Sequence, residues 1–289
     1  MSDGEQKLVD TSGDYLYAVK DGQPLPDADW RSCRLVLTSE RLVLATNGGK
    51  RAIAHGNIRL PADDADPVPD DLSLDGATPL WIGDNLVAVD AGSVDDFESE
   101  YCRAALHDEV ILVKHPAIVG GVVQEDATWS KARFRFEDDH VTLGLPGNRT
   151  ATVEIDDVGT VETDDATVRG DRRSVVAVEH TDDEGRSVET HFSGTDRHVR
   201  ALATLLGKVV AEREGDFELT GTEKEVLMAL YSGVSPFEIA GFVGIDVDEV
   251  EQIYGKLLDV GAVDKVRERT EVTLNAQGRN LASEAMSEE

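Results

Sequence analysis

WRSCRLVLTSERLVLATNGGKRAI (residues 30–53) and WSKARFRFEDDHVTLGLPGNRTATV (residues 129–153) are two copies of one pattern. Aligned on Trp30 and Trp129, Arg34 meets Arg133, Leu35 meets Phe134, Leu37 meets Phe136 and Leu44 meets Leu143. Asn47–Gly48–Gly49 falls near Pro146–Gly147–Asn148, and with one gap Ile53 and Ile58 meet Val153 and Val158. Apolar residues alternate with polar ones at the strand period of two, and Gly/Asn clusters mark hairpin turns. Each copy therefore reads as two strands, a tight turn and a third strand, and the internal repeat is the first fact about the fold.

The repeat extends outward. Upstream, Glu5 to Val9 resembles Glu109 to Val113. Downstream come short strands at Pro79–Ile82 and Asn85–Asp90 in the first copy, and at Val161–Val168, Ser174–His180 and Ser187–Phe192 in the second. Each copy ends in an amphipathic helix. Asp95 and Glu98 fit a capping box ahead of Phe97, Tyr101 and Ala105. Thr195 or Asp196 precedes a stripe of Val199, Leu202, Leu205, Leu206 and Val209. A bent antiparallel sheet closed by a C-terminal helix points to a pleckstrin-homology-like module. Pro61 to Pro79, rich in Asp, Pro and Gly, reads as an acidic surface loop.

From about residue 217 the apolar period changes to 3.6. Thr222 with Glu225 starts one helix and Gly233 stops it. Ser235, with Pro236 first and Glu238 third in the following helix, starts a second that Gly244 ends. Asp246 with Glu249 starts a third, carrying Val250, Ile253, Tyr254, Leu257 and Leu258. Strands at Val263–Arg267 and Glu271–Leu274 and a helix from Asn275 complete a winged helix-turn-helix. The expected architecture is thus α+β and multidomain: pleckstrin-homology-like modules at 1–106 and 107–214, and a winged helix-turn-helix at 217–289.

Composition narrows the function. The 289 residues carry 58 acids against 28 bases, a net charge of −30 spread along the chain. That look suits a salt-loaded cytoplasm, where at about 1 M salt the Debye length falls to roughly 3 Å. A DNA-reading helix needs Arg, Lys, Asn or Gln at base edges and cations near phosphates. The candidate Asp246–Asp259 holds five acids and one Lys, Lys256, so a protein-docking winged helix is favoured over a transcription regulator. Only the wing residues Arg267 and Arg269 speak for DNA. Lys50, Arg51 and Arg149 near the hairpin turns are too few for an anionic membrane.

Chemistry is sparse. No apolar run is long enough to span a bilayer, and the N-terminus has no signal-peptide core. Cys33 and Cys102 lie in apolar segments and read as buried spectators. Asp63–Asp64, Asp138–Asp139, Asp156–Asp157 and Asp182–Asp183 read as turn or surface acids without calcium-loop spacing. His180 and His191 sit on adjacent strands where they could pair, but lack a third ligand. Lys114–His115–Pro116 with Gly120–Gly121 reads as a joint between the repeats or a docking surface, with the joint favoured. No nucleotide, serine-hydrolase or metalloprotease motif occurs. A non-enzymatic protein with no catalytic residue, metal or cofactor is expected.

VKHPAIVGGVV (residues 113–123), VLMALYSGVSPFEIAGFVGIDVDEVEQIY (226–254) and VRERTEVTLNAQGRNLASEAM (266–286) resemble the archaeal taxis protein CheF family, in its haloarchaeal form. GEQKLVD and the stretch from Trp30 to Arg51 are similar too, so the resemblance covers nearly the full length. It implies a cytoplasmic adaptor between chemotaxis signalling and the archaellum motor. The partners it implies are the phosphorylated response regulator CheY, CheD, CheC-type proteins and the archaellum's switch accessory proteins. Against that background Ser235, Pro236, Phe237, Glu238, Asp246, Asp248, Glu249 and Glu251 are the expected partner-binding residues, and the second β module and its helix would carry another surface.

Overall fold

The structure is a computed structural model that describes residues 5–26, 28–61, 74, 76–137, 140–215, 219–259 and 262–263. The chain divides into two compact units, Met1–Glu214 and Gly215–Glu289. It is α+β, with two antiparallel sheets in the first unit and helices in the second.

The first sheet contains β1 (Lys7–Lys20), β2 (Gln23–Pro24), β3 (Arg31–Thr38), β4 (Arg41–Thr46), β5 (Gly49–Ala54), β6 (Ile58–Arg59), β7 (Thr78–Ile82) and β8 (Asn85–Asp90), and α1 (Phe97–Leu106) follows it. The second contains β9 (Val110–Val119), β10 (Val122–Val123), β11 (Ser130–Glu137), β12 (His140–Leu145), β13 (Arg149–Glu154), β14 (Thr160–Val168), β15 (Asp171–Thr181) and β16 (Ser187–Ser193), and α2 (Asp196–Gly215) follows it. The orders are β5-β4-β3-β1-β8-β7-β6 and β13-β12-β11-β9-β16-β15-β14, with β2 on β1 and β10 on β9. Every strand of the second sheet takes the place of the strand eight earlier in the first. The repeat seen in sequence is therefore a repeat of topology.

Alternation explains which face is buried. In β3, Cys33, Leu35 and Leu37 point inward while Arg31 and Arg34 are exposed; in β11, Ala132 and Phe134 are buried between exposed Lys131, Arg133 and Arg135. The turn between β12 and β13 uses left-handed Gly147 (φ 78°) and Asn148 (φ 58°), residue types that tolerate this region.

Ladder register corrects the upstream alignment. Tyr15 pairs with Arg31, and Val113 pairs with Ser130, the residue aligned with Arg31. Thr11–Tyr15, not Glu5–Val9, is thus the counterpart of Glu109–Val113. The first residues of β1 instead extend the ladder as far as Lys7 opposite Thr38. At the corresponding point in the second copy the chain is finishing α1.

Lys114–His115–Pro116 is likewise not the joint between repeats. It lies inside the central strand β9. His191 pairs with Lys114 and Glu189 with Ile118, so four steps along β9 face two along β16. Proline has no N–H to give a ladder, which suits it to such a bulge. β1 has a smaller irregularity at the same place, between Tyr17 and Val19.

One hydrophobic core serves both sheets. It joins Leu35, Leu37, Leu80 and Val89 of the first copy to Phe134, Leu143, Val178 and Phe192 of the second, through Tyr101 and Leu106 of α1 and Leu202 and Leu205 of α2. α1 touches β1 and β3 of its own sheet and β11 of the other. Its cap is Asp96, which accepts from Ser99 N at 3.1 Å, in place of the expected Asp95–Glu98 box.

The second unit packs α3 (Gly221–Tyr231), α4 (Ile239–Val243) and α5 (Val247–Asp259) around Val226, Ala229, Ile239, Val250, Ile253 and Leu257. The capping box of α3 is Thr220 with Glu223, two residues before the expected pair. Both pairs fit the motif; in the earlier one the glutamate also accepts from Lys256 of α5 at 2.7 Å, which ties the helix start to the core. α4 begins three residues later than expected. Glu238 N donates to Ser235 O at 2.8 Å, closing a turn over Pro236 and Phe237, and Ser235 caps no helix. Left-handed Gly244 (φ 82°) ends α4, and Asp246 Oδ1 accepts from Glu249 N at 2.8 Å to start α5, both as expected. Apart from Val263, the expected wing strands, the closing helix, Arg267 and Arg269 lie outside the described residues, as do most of the acidic loop and Asp63–Asp64 and Asp138–Asp139.

Candidate functional site

The residues expected to meet a partner lie on the second unit. Pro236, Phe237, Glu238, Asp246, Asp248, Glu249 and Glu251 are exposed and Ser235 is half-buried. The two segments are brought together, because Tyr254 of α5 donates its hydroxyl to Pro236 O at 3.1 Å. The same unit exposes Phe237 (77%), Phe242 (67%) and Val247 (62%), so acids and large apolar groups share its surface. Asp246 also has a structural task as the α5 cap. Lys256, the one cation in α5, is engaged by Glu223, whose carboxyl is held down to about 2 by Lys256 and the Thr220 N–H.

The first unit carries a groove of about 900 Å3 where the two copies meet. One wall is Gly56–Arg59 and the β7–β8 turn from Trp81 to Gly83; the other is Thr195, Asp196 and Arg197 at the start of α2. Arg59 stacks its guanidinium 5.4 Å above the Trp81 ring centroid. Burial lowers the Arg59 pKa, Arg200 lowers it further and Asp196 opposes them. Arg197 donates to Ala105 O at 2.7 Å and to Glu109 Oε1 at 2.8 Å. Arg200 reaches Leu60 O at 3.4 Å, and Lys208 reaches the α1 cap Asp96 at 2.6 Å. α2 thus straps the first copy to the second through its polar face. This groove escaped sequence reading: Arg59 borders the acidic loop, and Arg197 and Arg200 fall outside the apolar stripe that defines α2.

The remaining candidates resolve into structure. His180 and His191 do not face each other; their partners are Val188 and Ala177. His180 instead stacks on His115 (centroids 6.1 Å, 12° apart), and both imidazoles bond the buried Thr190 hydroxyl, at 2.9 and 2.7 Å. Burial, with the neighbouring His180, drives the His115 pKa down to about 4, and burial lowers that of His180. Among the described residues no group of three His, Cys, Asp or Glu could hold a metal. Cys33 and Cys102 are buried, and burial pushes both thiols up. Asp182 organises its own turn, accepting from Glu184 N, Arg186 N and the Arg186 guanidinium. Asp156 and Asp157 lie in a 3-10 turn. Lys50 and Arg51 border a smaller hollow of about 310 Å3 beside Tyr15 and Tyr17.

The family model described as archaeal chemotaxis signal transduction system protein F (CheF) matches residues 7–212, both copies of the repeat. The chain belongs to the CheF family. Over 300 aligned residues, covering all of both chains, it is 40% identical to Taxis protein CheF1 of Halobacterium salinarum. To Taxis protein CheF2 of the same organism it is 26% identical over 267 residues, 87% of this chain and 88% of the relative. A separate model, for a domain of unknown function, matches residues 218–287, so the division seen in the structure is also one between sequence families. Membership in CheF places the chain in archaeal chemotaxis signal transduction. Among the described residues no helix of this CheF protein is long and apolar enough to cross a membrane.

Proposed function

We propose that this CheF protein is a non-enzymatic cytoplasmic adaptor that couples phosphorylated CheY, CheD and CheC-type proteins to the archaellum's switch proteins. The observation that carries this reading is the full-length similarity to Taxis protein CheF1, which covers the β repeat and the C-terminal helices together. In this reading the repeat comprises pleckstrin-homology-like modules at 1–106 and 107–214, and 217–289 is a winged helix turned to protein docking. The exposed Pro236–Glu238 turn and the α5 acids Asp246, Asp248, Glu249 and Glu251, with Ser235 beneath, form one partner surface. The acidity of α5, with Lys256 bound to Glu223, supports a protein partner over DNA.

An adaptor transmits a signal only if its partner's active form binds better than the inactive one. The test is recovery of CheY, held active or inactive, on immobilised full-length protein at molar salt. Preferential recovery of the active form is expected, as is its loss on replacing Phe237 and Glu249 together. Equal recovery in both states would refute switching.

A further inference from the structure

The two copies treat one topological position in opposite ways. The outer strands are β5 and β6 in the first sheet, β13 and β14 in the second. β5 and β13 have six residues each and carry Lys50, Arg51 and Arg149, while β6 has two residues. β14, the counterpart of β6, has nine, and none of them is proline, lysine or arginine. Its ladder to β15 runs from Thr160–Glu179 to Val168–Asp171 without a bulge. Short strands, cations, prolines and bulges are how proteins keep an edge from pairing with another chain. The first copy uses the shortest edge available; the second leaves a long one whose only such device is negative charge.

The edge is also held in place. β15 pairs with β16 only from Val176 to Thr181, so Asp164–Val168 and Asp171–Val175 run on beyond that ladder as a two-stranded ribbon. Its tip is anchored: Val168 is fully buried, and Arg169 donates to Trp129 O at 2.9 Å. Thr160 and Glu162 to Thr167 are exposed, and among the described residues no strand pairs with their outer side. Alternate residues of an edge turn N–H and C=O away from their neighbour, so β14 presents main-chain donors and acceptors to a further strand. Asp165 N–H bonds the Asp164 carboxylate at 2.7 Å, a local substitute for such a strand. An anchored edge has little freedom left to lose when a segment is laid along it.

Charge selects the occupant. Asp165 is engaged by Arg172 and Ser174 at 3.2 and 3.0 Å, whereas Glu162 and Asp164 have no cation partner among the described residues. A second copy fits poorly. In the register that pairs all nine residues of two β14 strands, Asp164 would stand opposite Asp164, and like charges directly opposite are destabilising. Cations facing Glu162 and Asp164 are favoured instead, and at molar salt such contact pairs are the ones that survive screening. We propose that the outer edge of β14 receives an extended segment of a protein partner as an added strand, with Lys or Arg of that segment facing Glu162 and Asp164. The site shares no residue with the α5 surface and does not need that surface to function.

The test is fluorescence anisotropy with a short fluorescein-labelled peptide that repeats Thr-Val-Lys, titrated with the full-length chain at molar KCl. Saturable binding is expected, with hydrogen-exchange protection concentrated on residues 160–168. Two further peptides carry N-methyl groups at alternate residues, one at the odd positions and one at the even. One should bind as the parent does and the other at least about tenfold more weakly, because only alternate N–H groups of an added strand face the edge. Glu162→Lys combined with Asp164→Lys should weaken the parent peptide about tenfold. Asp84→Lys combined with Asp95→Lys, at exposed acids of the first copy, should leave it unchanged. Circular dichroism verifies that each variant is folded. Absence of saturable binding, equal binding of the two methylated peptides, or an equal loss with the Asp84 and Asp95 pair would overturn the proposal. So would a dimer in sedimentation that the peptide dissociates, since the edge would then belong to a second copy. Failure here with active-state recovery of CheY intact would refute the edge alone.

Discussion

Replacing Arg197 with Met should loosen the whole first unit, although the residue sits at the start of one helix. Its guanidinium bonds the Ala105 carbonyl at the end of α1 (2.7 Å) and Glu109 in the link to β9 (2.8 Å). Met retains most of the apolar stem, so the loss is one of hydrogen bonds. A bond to a charged group contributes about 1.5–3 kcal/mol. The Ala105 arm should keep that value, because α1 is buried around it. The Glu109 carboxylate is 40% exposed against 18% for Arg197, so that arm is discounted toward the roughly 1 kcal/mol of a surface pair. The sum is about 3 kcal/mol, which for a unit of this size lowers the melting temperature by on the order of 6–12 °C. Denaturant unfolding at fixed molar KCl, followed by circular dichroism, measures it. A double-mutant cycle with Glu109→Gln should give a coupling of about 1 kcal/mol. A cost below about 1 kcal/mol, or no coupling, would refute the idea that α2 straps the copies together.

Three further outcomes follow from local geometry. A Cβ on Gly13 would lie 2.2 Å from Asp90 O, so Gly13→Ala must part β1 from β8 and should cost about 1–3 kcal/mol in the same unfolding assay. Thr190→Val removes the hydroxyl shared by His115 and His180 and leaves buried imidazole nitrogens without it; a loss of about 1–3 kcal/mol is expected from the melt. Stability should also fall on acidification. A base whose folded pKa drops from 6.5 to about 4 binds its proton more readily when unfolded, so its contribution is complete above 6.5 and disappears as pH falls toward 4. His115 alone accounts for at most about 3 kcal/mol of this. A flat stability profile between pH 6.5 and 4 would contradict the buried imidazole pair.

The strands were legible because both alternation and turn chemistry are local, and the repeat supplied two independent readings of each. What sequence could not place was register. Glu5–Val9 resembles Glu109–Val113 in composition, but only the ladder reveals that Thr11–Tyr15 is the true counterpart. The bulge at His115–Pro116 was similarly out of reach, since a Pro in an apolar run reads as a break until β16 is seen beside it. Helix starts failed where two equivalent caps compete: Thr220–Glu223 and Thr222–Glu225 both satisfy the motif, and the choice falls to a tertiary bond from Lys256. The expected residues on α5, Asp248, Glu249 and Glu251, proved exposed because an acidic amphipathic helix announces its outer face, whereas Ser235, in the turn before α4, is half-buried. The arginine groove was invisible because its members lie on β6 and α2, separated by more than a hundred residues.

The −30 charge acquires a sharper meaning from where the scarce cations go. On α2, Arg197, Arg200, Lys208 and Arg213 all turn toward the protein: to Ala105 O and Glu109, to Leu60 O, to Asp96, and to the Ile155 and Val158 carbonyls at 2.7 and 3.0 Å. Two of these guanidinium groups each bridge two acceptors, which an ammonium does less well. Every one of these contacts is no longer than 3.4 Å, near the roughly 3 Å Debye length at 1 M salt, whereas repulsions among spread surface acids act over longer distances. The two kinds of electrostatics should therefore separate on dilution. Toward about 0.1 M the Debye length grows to roughly 10 Å and self-repulsion destabilises the native chain as a whole. The cost of Arg197→Met should meanwhile stay constant within about 0.5 kcal/mol, because a contact pair is hardly screened at either concentration. Measuring that cost at both salts, above the concentration at which the chain unfolds, decides the matter. A cost that changes in parallel with total stability would mean that the α2 strap acts through the general field and not through its bonds.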